Sequence, residues 1–541
     1  MLNAEQQEVY DLVMQGNNVF FTGSAGTGKS FLLENIIKGL TDKYNGQKDA
    51  FAVTATTGIA ASLIGGQTLN SALGIGAINT YHDFKPMSNE PNVSRIRRWK
   101  TLIIDECSML SGEFLEELEV RLSKIRAPST LSSENNTPTV CAAAAGGLQI
   151  VMAGDFYQLP PISKGIGPYT PKDTFVNFGY AFYAPAWHRL NLKCKILRQV
   201  FRQKEEDLAN ALNLIRKGPG TASARNALRM IVRSCCKSVN TAQSNTADRP
   251  TNLLPNGMVP TQIFPRNKDV DNMNEKEMKQ MGKPIVKFYA QDSVNLDYPR
   301  SPDADTVRQK LLKCEFFKES LVRPEVGLCV GAQVMLLKNL DTLNGRVNGS
   351  RGVVVGFVHK FYSSKPILGT DQSLTSSTSR DTTSILTSWK GTILPVVRFM
   401  DGQEWAVPPV RFTSYYQGQG ECVRLQIPLK LAWAITVHKS QGMSLDAVRI
   451  SLKSMFAVGQ AYVALSRARS LEGLDVLDWD MDCLRTDPEV LRFYEMIDKE
   501  TDQIQDNSTQ HKNDDYHSQW KWYMNMRRIA SELASDSEKQ H

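Results

Sequence analysis

The chain has 541 residues, 41% of them hydrophobic, too many for one ordinary core and too apolar for a disordered scaffold, so several packed domains are expected. Lys and Arg total 63 against 56 Asp and Glu, a net charge of +7 that suits a polyanionic partner without singling one out. The nine cysteines include no Cys-x-x-Cys pair and no histidine stands at zinc-finger spacing, so neither a disulfide framework nor a structural zinc site is indicated, and a reducing compartment fits best.

The amino terminus carries no signal or transit pattern, and no apolar run approaches the roughly 18 residues that cross a bilayer, so no membrane partner is expected. The first motif begins so near Met1 that removal of an upstream targeting segment is the expectation. In "VFFTGSAGTGKSFLLENI", Val19 to Thr22 reads as a buried strand, and Phe31, Leu32, Leu33, Ile36 and Ile37 give the following helix an apolar face. Between them Gly23, Ser24, Ala25, Gly26, Thr27, Gly28, Lys29 and Ser30 spell G-x-x-x-x-G-K-S, a P-loop in its required setting. Gly23, Gly26 and Gly28 let backbone N–H groups turn inward on phosphate oxygens, Lys29 supplies a point charge, and the Ser30 hydroxyl can ligate magnesium.

A second apolar run, "TLIIDE", ends in Asp105 and Glu106, at the carboxyl end of a strand where ligands of open α/β sheets gather. Alone, such a pair is more often a solvated strand end. After a P-loop it is the expected other half of a nucleoside triphosphatase site, Asp105 holding magnesium and Glu106 orienting and deprotonating the attacking water. A third run, "LQIVMAGDFYQLPP", closes on Asp155 and Gln158 before Pro160 and Pro161 stop it. Gln158 is placed to sense the γ-phosphate; the alternative is a plain turn cap. At this point kinases, transporter engines, GTPases and helicases all remain open. The base-reading Asn-Lys-x-Asp of a GTPase is not met, since the nearest segment runs Asn267, Lys268, Asp269, Val270.

The second half of the chain carries "AITVHKSQGMSL", with Thr436, His438, Lys439, Ser440, Gln441 and Gly442, and "QAYVALSRAR", with Arg467 and Arg469, and no second P-loop. These segments resemble the carboxyl-terminal motifs of superfamily 1 helicases. Together with "LNAEQQEVYDLV", "ATTGIAA", "GDFYQLPP", "QVFRQ" and "GAQVMLLKN" in that order, the chain resembles the petite-integration-frequency (Pif) family of DNA helicases. The resemblance implies an α/β fold with two RecA-like parallel-sheet cores and small inserted subdomains, one a β-barrel, and ATP and Mg²⁺ as cofactors. It also implies Gln6 as an adenine-reading glutamine, Gly442 as a further nucleotide contact, and Arg202 and Arg467 as arginines that reach the phosphates from the second core. DNA contacts are implied at Thr56, Gly58, Asn70, Asn348, Thr436, His438 and Ser440, groups able to hold sugar and phosphate without reading bases.

On this reading residues 1–190 form the first core, with a small insertion at about 62–98 presenting a loop at the duplex junction. Residues 191–345 begin the second core, 346–425 form an inserted Src-homology-type barrel, 426–485 complete the core, and 486–541 are a carboxyl-terminal extension, polar beyond Leu491 apart from "WKWYMNM". Two serine- and threonine-rich stretches, 236–256 and 363–391, read as surface loops. Two departures from the family pattern stand out. Asn70 takes the place of the usual histidine, which removes base stacking, and the Phe-Gly-Gly signature reads Ala142 to Ala145, then Gly146, Gly147.

The function implied is 5′-to-3′ translocation on single-stranded DNA with unwinding of duplexes, including forks, RNA–DNA hybrids and G-quadruplexes, by a monomer in the nucleus or mitochondrion that serves genome maintenance. Rival readings are an RNA helicase, a translocase that does not unwind, and a binding scaffold that uses ATP as a switch.

Overall fold

Val19–Gly23 (β1) is buried along its whole length, as a strand must be when both faces of a parallel sheet are covered. Its neighbours are Phe51–Ala55 (β2), Gln67–Thr68 (β3), Thr101–Asp105 (β4), Gln149–Gly154 (β5) and Lys193–Leu197 (β6), in the order β3-β2-β4-β5-β1-β6. Every pairing is parallel, with Val19 opposite Val151 on one side and Lys193 on the other. Alternate residues serve opposite faces. Phe21, Ile103, Val151 and Ala153 pack with Val9, Val13, Leu32, Leu33, Ile36 and Leu40 from helices Ala4–Met14 (α1) and Lys29–Lys43 (α2). Phe20, Leu102, Ile104, Ile150 and Met152 face a second core rich in aromatic rings.

This computed structural model describes residues 2–76, 78–127, 143–162, 175, 179–201, 205–218, 221–235, 258–296, 298–300, 302–313, 316–317, 322–338, 340–341, 346, 349–361, 367, 384–416, 420–443, 445 and 447–502. The chain forms two units: Met1–Leu228 with Ala457–Val463 and Leu484–His541, and Arg229–Phe456 with Ala464–Cys483. The first unit therefore runs past the boundary expected at 190. Strand β6 is the edge partner of β1; its outward-facing lysines, Lys193 and Lys195, hide its alternation from a hydropathy reading. The expected insertion at 62–98 is folded into the same core through Leu69, Leu73, Phe84, Met87 and Ile96.

The carboxyl-terminal extension needs a further correction. Pro488–Asp502 is a helix, and Val490, Phe493, Tyr494 and Ile497 lie in the aromatic core of the first unit. The ring of Phe493 stacks on Phe182 at 4.2 Å and meets Phe156 and Trp187 edge-on. "WKWYMNM" lies outside the described residues, as do 236–256 and most of 363–391.

The second unit contains Thr261–Phe264 (β7), Val286–Tyr289 (β8), Gln291–Leu296 (β9), Glu325–Leu328 (β10), Gln333–Leu336 (β11), Arg351–His359 (β12) and Ile393–Phe399 (β13). Glu404–Ala406 (β14), Val410–Tyr416 (β15), Gly420–Gln426 (β16), Leu429–Leu431 (β17), Ala434–Thr436 (β18), Val448–Ser451 (β19) and Leu474–Asp478 (β20) follow. A four-stranded parallel sheet, β18-β7-β19-β20, is its α/β part. The residues expected to form a barrel at 346–425 contribute to two antiparallel sheets. One, β14-β13-β12-β11-β17, takes its last two strands from outside that range, and the other, β15-β16-β9, borrows β9.

Phe493→Ala is expected to destabilise the first unit by about 3–5 kcal/mol, the usual cost of emptying a buried aromatic site. Urea denaturation of the full chain measures it, and a loss below about 0.5 kcal/mol, typical of a surface position, would show that the helix does not belong to the core.

Candidate active site

Because the sheet of the first unit is parallel, β1, β4 and β5 deliver the P-loop, Asp105–Glu106 and Asp155–Gln158 to one edge. The loop turns through left-handed glycines, Gly26 at φ 92° and Gly28 at φ 80°, conformations that an L side chain would strain. A Cβ at Gly28 would lie 2.8 Å from Gln6 Nε2, so the glycine also admits the glutamine. Gln6 is buried; it is oriented by a reciprocal cap with Asn3 and donates from Nε2 to the Thr27 carbonyl at 3.3 Å. Lys29 Nζ donates to the Gly23 and Ser24 carbonyls at 2.8 and 3.2 Å. Ser30 is exposed at the start of α2.

Asp105 is buried and accepts the Glu106 N–H at 2.8 Å. Burial, with the Glu106 charge adding to it, pushes its carboxyl up from the ordinary 3.8 to about 7, against the opposing pull of that N–H and of Lys29. Glu106 takes a left-handed backbone, φ 51° and ψ 42°, uncommon for a residue with a Cβ. Its carbonyl accepts Thr56 Oγ1 at 2.8 Å, while the Thr56 N–H donates to the Asp105 carbonyl at 3.2 Å. Thr56 and Asn70 line one groove of about 200 Å³, with Leu69, Ile78, Met109 and Phe114. Asn70 spends its amide on the Gly76 carbonyl at 2.9 Å, and Gly58 begins the short helix after Thr56.

At the end of β5, Asp155 has no solvent exposure. Arg216, from the helix Glu206–Arg216, binds its Oδ1 through Nε at 3.2 Å and Nη2 at 2.6 Å. Burial works against that guanidinium's charge, but Asp155 outweighs it and holds the arginine protonated. Tyr494 Oη lies 2.6 Å from Thr22 Oγ1, accepts the Phe156 N–H at 3.1 Å and donates to Asp155 at 3.3 Å. Gln158 Nε2 donates to Asp155 Oδ2 at 3.3 Å, while its buried Oε1 makes no hydrogen bond. Two residues of "GQAYVAL" complete the site. Ala25 donates its N–H to Tyr462 Oη at 2.8 Å, and a Cβ at Gly459 would lie 2.4 Å from the Gln158 carbonyl oxygen.

In the second unit Thr436 caps the turn Val437–Ser440, its Oγ1 accepting the Lys439 N–H at 3.3 Å. Ser440 is buried and bonded to the Val437 carbonyl, and burial holds the His438 imidazole below its ordinary value, hence neutral at physiological pH. Gly442 follows at φ 77°. Arg467, only 1% exposed, donates to the Ser440 and Met443 carbonyls at 3.3 and 3.1 Å and to Ser466 Oγ at 2.8 Å. Arg202 and Asn348 lie outside the described residues.

Residues 1–219 match the family described as PIF1-like helicase, and 318–357 match the 2B domain of DNA helicase Pif1. The crystal structure of Pif1 helicase from Candida albicans is 32% identical with a TM-score of 0.66, covering 92% of this chain and 99% of that one. This chain belongs to the PIF1-like helicase family. Bacteroides Pif1 bound to ssDNA is 25% identical at a TM-score of 0.58, covering 93% of this chain and 98% of its own. The ATP-dependent DNA helicase PIF1 of Xenopus laevis is 35% identical over 503 residues, 92% of this chain; the match spans 65% of the Xenopus protein, a little under two thirds.

For a PIF1-like helicase, sequence reading missed three parts of the site. Tyr494 was legible, since Val490, Phe493, Tyr494 and Ile497 have the i, i+3, i+4, i+7 spacing of a buried helix face. Tyr462 sat inside a segment already singled out for its arginines. Arg216 carries no local signal. Its pairing with Asp155 exists only in three dimensions. The signature region rests against the helix Gly112–Arg126: Ala145 and Gly146 take left-handed conformations, the Ala145 N–H donates to Glu119, and a Cβ at Gly146 would meet Arg126.

Two outcomes follow from these environments. The raised pKa of Asp105 makes a stabilising contribution that is complete below the ordinary value of 3.8 and lost as pH rises through about 7. Asp105→Asn is therefore expected to raise the melting temperature of the ligand-free chain at about pH 8 and to leave it unchanged near pH 4. Arg216→Met is expected to cost about 3–5 kcal/mol by stranding a buried carboxylate, with recovery when Asp155→Asn is added. Denaturation of the four chains of that cycle measures the coupling; simple additivity would contradict it.

Proposed function

We propose that this protein is an ATP- and magnesium-dependent DNA helicase that moves 5′ to 3′ along a single strand and unwinds the duplex ahead of it. The observation that carries the proposal is the convergence, at one edge of one parallel sheet, of Lys29, Asp105, Glu106 and Gln158. Lys29 meets loop carbonyls where terminal phosphates would sit, and leaving those acceptors for phosphate oxygens keeps its charge hydrogen-bonded. Ser30 and Asp105 are the residues that would hold magnesium, which when bound neutralises charge on the phosphate oxygens. Glu106 takes the proton from the attacking water, and the unbonded Gln158 Oε1 supplies an acceptor to orient that water. Gln6, fixed beside Gly28, recognises the base.

Thr56 links this chemistry to DNA. Its hydroxyl and amide are bonded to the backbone of Glu106 and Asp105 while its side chain lines the groove shared with Asn70. A strand held there by sugar and phosphate touches the residue that fixes the backbone of the general base. The single-stranded DNA bound by the Bacteroides neighbour supports this choice of polymer. Thr436, His438 and Ser440 of the second unit are proposed as a second grip on the backbone, and Arg202 and Arg467 as the arginines that stabilise the charge of the transferring phosphoryl group. Opening a duplex costs about 1.4 kcal/mol per base-pair step on average, so hydrolysis must be tied to stepping. Forks, RNA–DNA hybrids and G-quadruplexes are the structures proposed for it, as a monomer acting in genome maintenance in the nucleus or mitochondrion.

The test is magnesium-dependent ATP hydrolysis and strand separation on 5′-tailed and 3′-tailed duplexes, with Lys29→Ala as the control. Unwinding of the 5′-tailed substrate alone is expected, with hydrolysis stimulated more by single-stranded DNA than by RNA, and Glu106→Gln is expected to lose about 10²- to 10⁴-fold in stimulated turnover. Stimulated hydrolysis without unwinding would leave a translocase, and binding of ATP without turnover would leave a switched scaffold.

A further inference from the structure

The second unit holds an open cleft of about 860 Å³ between the β8–β9 corner and the segment 388–393. Its volume lies in the range of about 300–1,000 Å³ that takes a small-molecule-sized ligand, so it accommodates a short flexible segment and not a duplex. Lys287, Tyr289, Gln291, Asp292, Lys390 and Arg411 supply its chemistry. Two of the charges are already spent: Lys287 pairs with Glu325 at 2.9 Å, and Asp292 is gripped by the buried Arg424 at 2.7 Å. Lys390 and Arg411 are exposed and make no ion pair among the described residues. The cleft therefore presents an uncompensated positive charge. Beside it Tyr289 is 60% exposed, a large flat ring facing water, and Gln291 Nε2 is buried with no acceptor for its N–H groups.

An occupant that satisfies all of these has anionic groups for Lys390 and Arg411, a flat face for Tyr289 and an acceptor oxygen for Gln291. Single-stranded nucleic acid combines them, since basic groups tracking a backbone and an aromatic ring under a base are the usual elements of such sites. We infer that this cleft is a second binding site for single-stranded nucleic acid, separate from the groove at Thr56 and Asn70, in which Tyr289 stacks on a base and Lys390 and Arg411 hold phosphates. The inference rests on the helicase reading. The strand it takes is either a continuation of the tracking strand or the strand displaced at a fork; both have the same chemistry.

The experiment uses the full chain and measures, by fluorescence anisotropy over a salt series, binding to plain oligo-dT and to a fork with both tails single-stranded. For Lys390→Ala/Arg411→Ala the slope of log K against log salt is expected to fall by about 1.4, two phosphate contacts at about 0.7 each. Tyr289→Ala is expected to weaken binding about tenfold, within the range for loss of one base–aromatic stack, with Tyr289→Phe restoring it. Losses on both substrates assign the cleft to the tracking strand, and losses on the fork alone assign it to the displaced strand. Unchanged slope and affinity on both overturn the inference while leaving the helicase reading intact. Absence of DNA-stimulated hydrolysis in the unsubstituted chain would instead overturn the helicase reading.

Discussion

The first unit is organised around the burial of one charge. Asp155 has no contact with water, and an isolated carboxylate there would cost several kcal/mol. Arg216 neutralises it at 2.6 Å, Tyr494 and Gln158 each donate to it, and the guanidinium lies 4.4 and 5.2 Å from the rings of Tyr157 and Tyr494, which stack on each other. Arg216 and Tyr494 come from a helix ending at 216 and a helix beginning at 488. Both segments are thereby obligatory parts of a core whose strands end at 197. Tyr494 also reaches Thr22, the residue before the P-loop's first glycine, so the network ties the phosphate loop to the strand end that carries Gln158.

This explains what was legible in the sequence and what was not. The P-loop and the Asp105–Glu106 pair are local: a strand, a turn and a helix specify them within about ten residues, and the glycines that the turn needs are visible as letters. The parallel sheet was legible for the same reason, since runs such as "TLIID" and "QIVMAG" are apolar on both faces. The limits of the first unit depend on partners far apart in sequence. An edge strand with lysines outward looks like a linker, and a carboxyl-terminal helix with a four-residue apolar stripe in a polar stretch looks like a tail. Neither Arg216 nor Tyr462 can be assigned without knowing which strand end it meets.

Geometry at Asp105 and Glu106 opposes stability in the service of the site. A non-glycine residue in the left-handed region costs on the order of 1–3 kcal/mol when the surroundings enforce it, and Glu106 is held there by the Thr56 hydroxyl on its carbonyl. Two adjacent carboxylates, one buried, repel each other, and that repulsion adds to the burial that raises the pKa of Asp105. A polar pair arranged for folding alone would have been solvated at the strand end. The arrangement makes sense when a cation and a phosphate are to join it, because positive charge beside Asp105 relieves the burial and the repulsion together.

Arg467 is held through the backbone. Its buried guanidinium donates to the carbonyls of Ser440 and Met443 and to the Ser466 hydroxyl. One of those carbonyls belongs to Ser440, in the turn that Thr436 caps and that holds His438. Any displacement of that turn moves an acceptor of Arg467 directly, and the second unit thus couples a proposed grip on DNA to a proposed phosphate arginine through one hydrogen bond at 3.3 Å. In the first unit Thr56 performs the same coupling toward Glu106. Each unit thus joins its proposed polymer-binding residues to its proposed catalytic ones through a side-chain donor on a backbone carbonyl, Thr56 on Glu106 in one and Arg467 on Ser440 in the other.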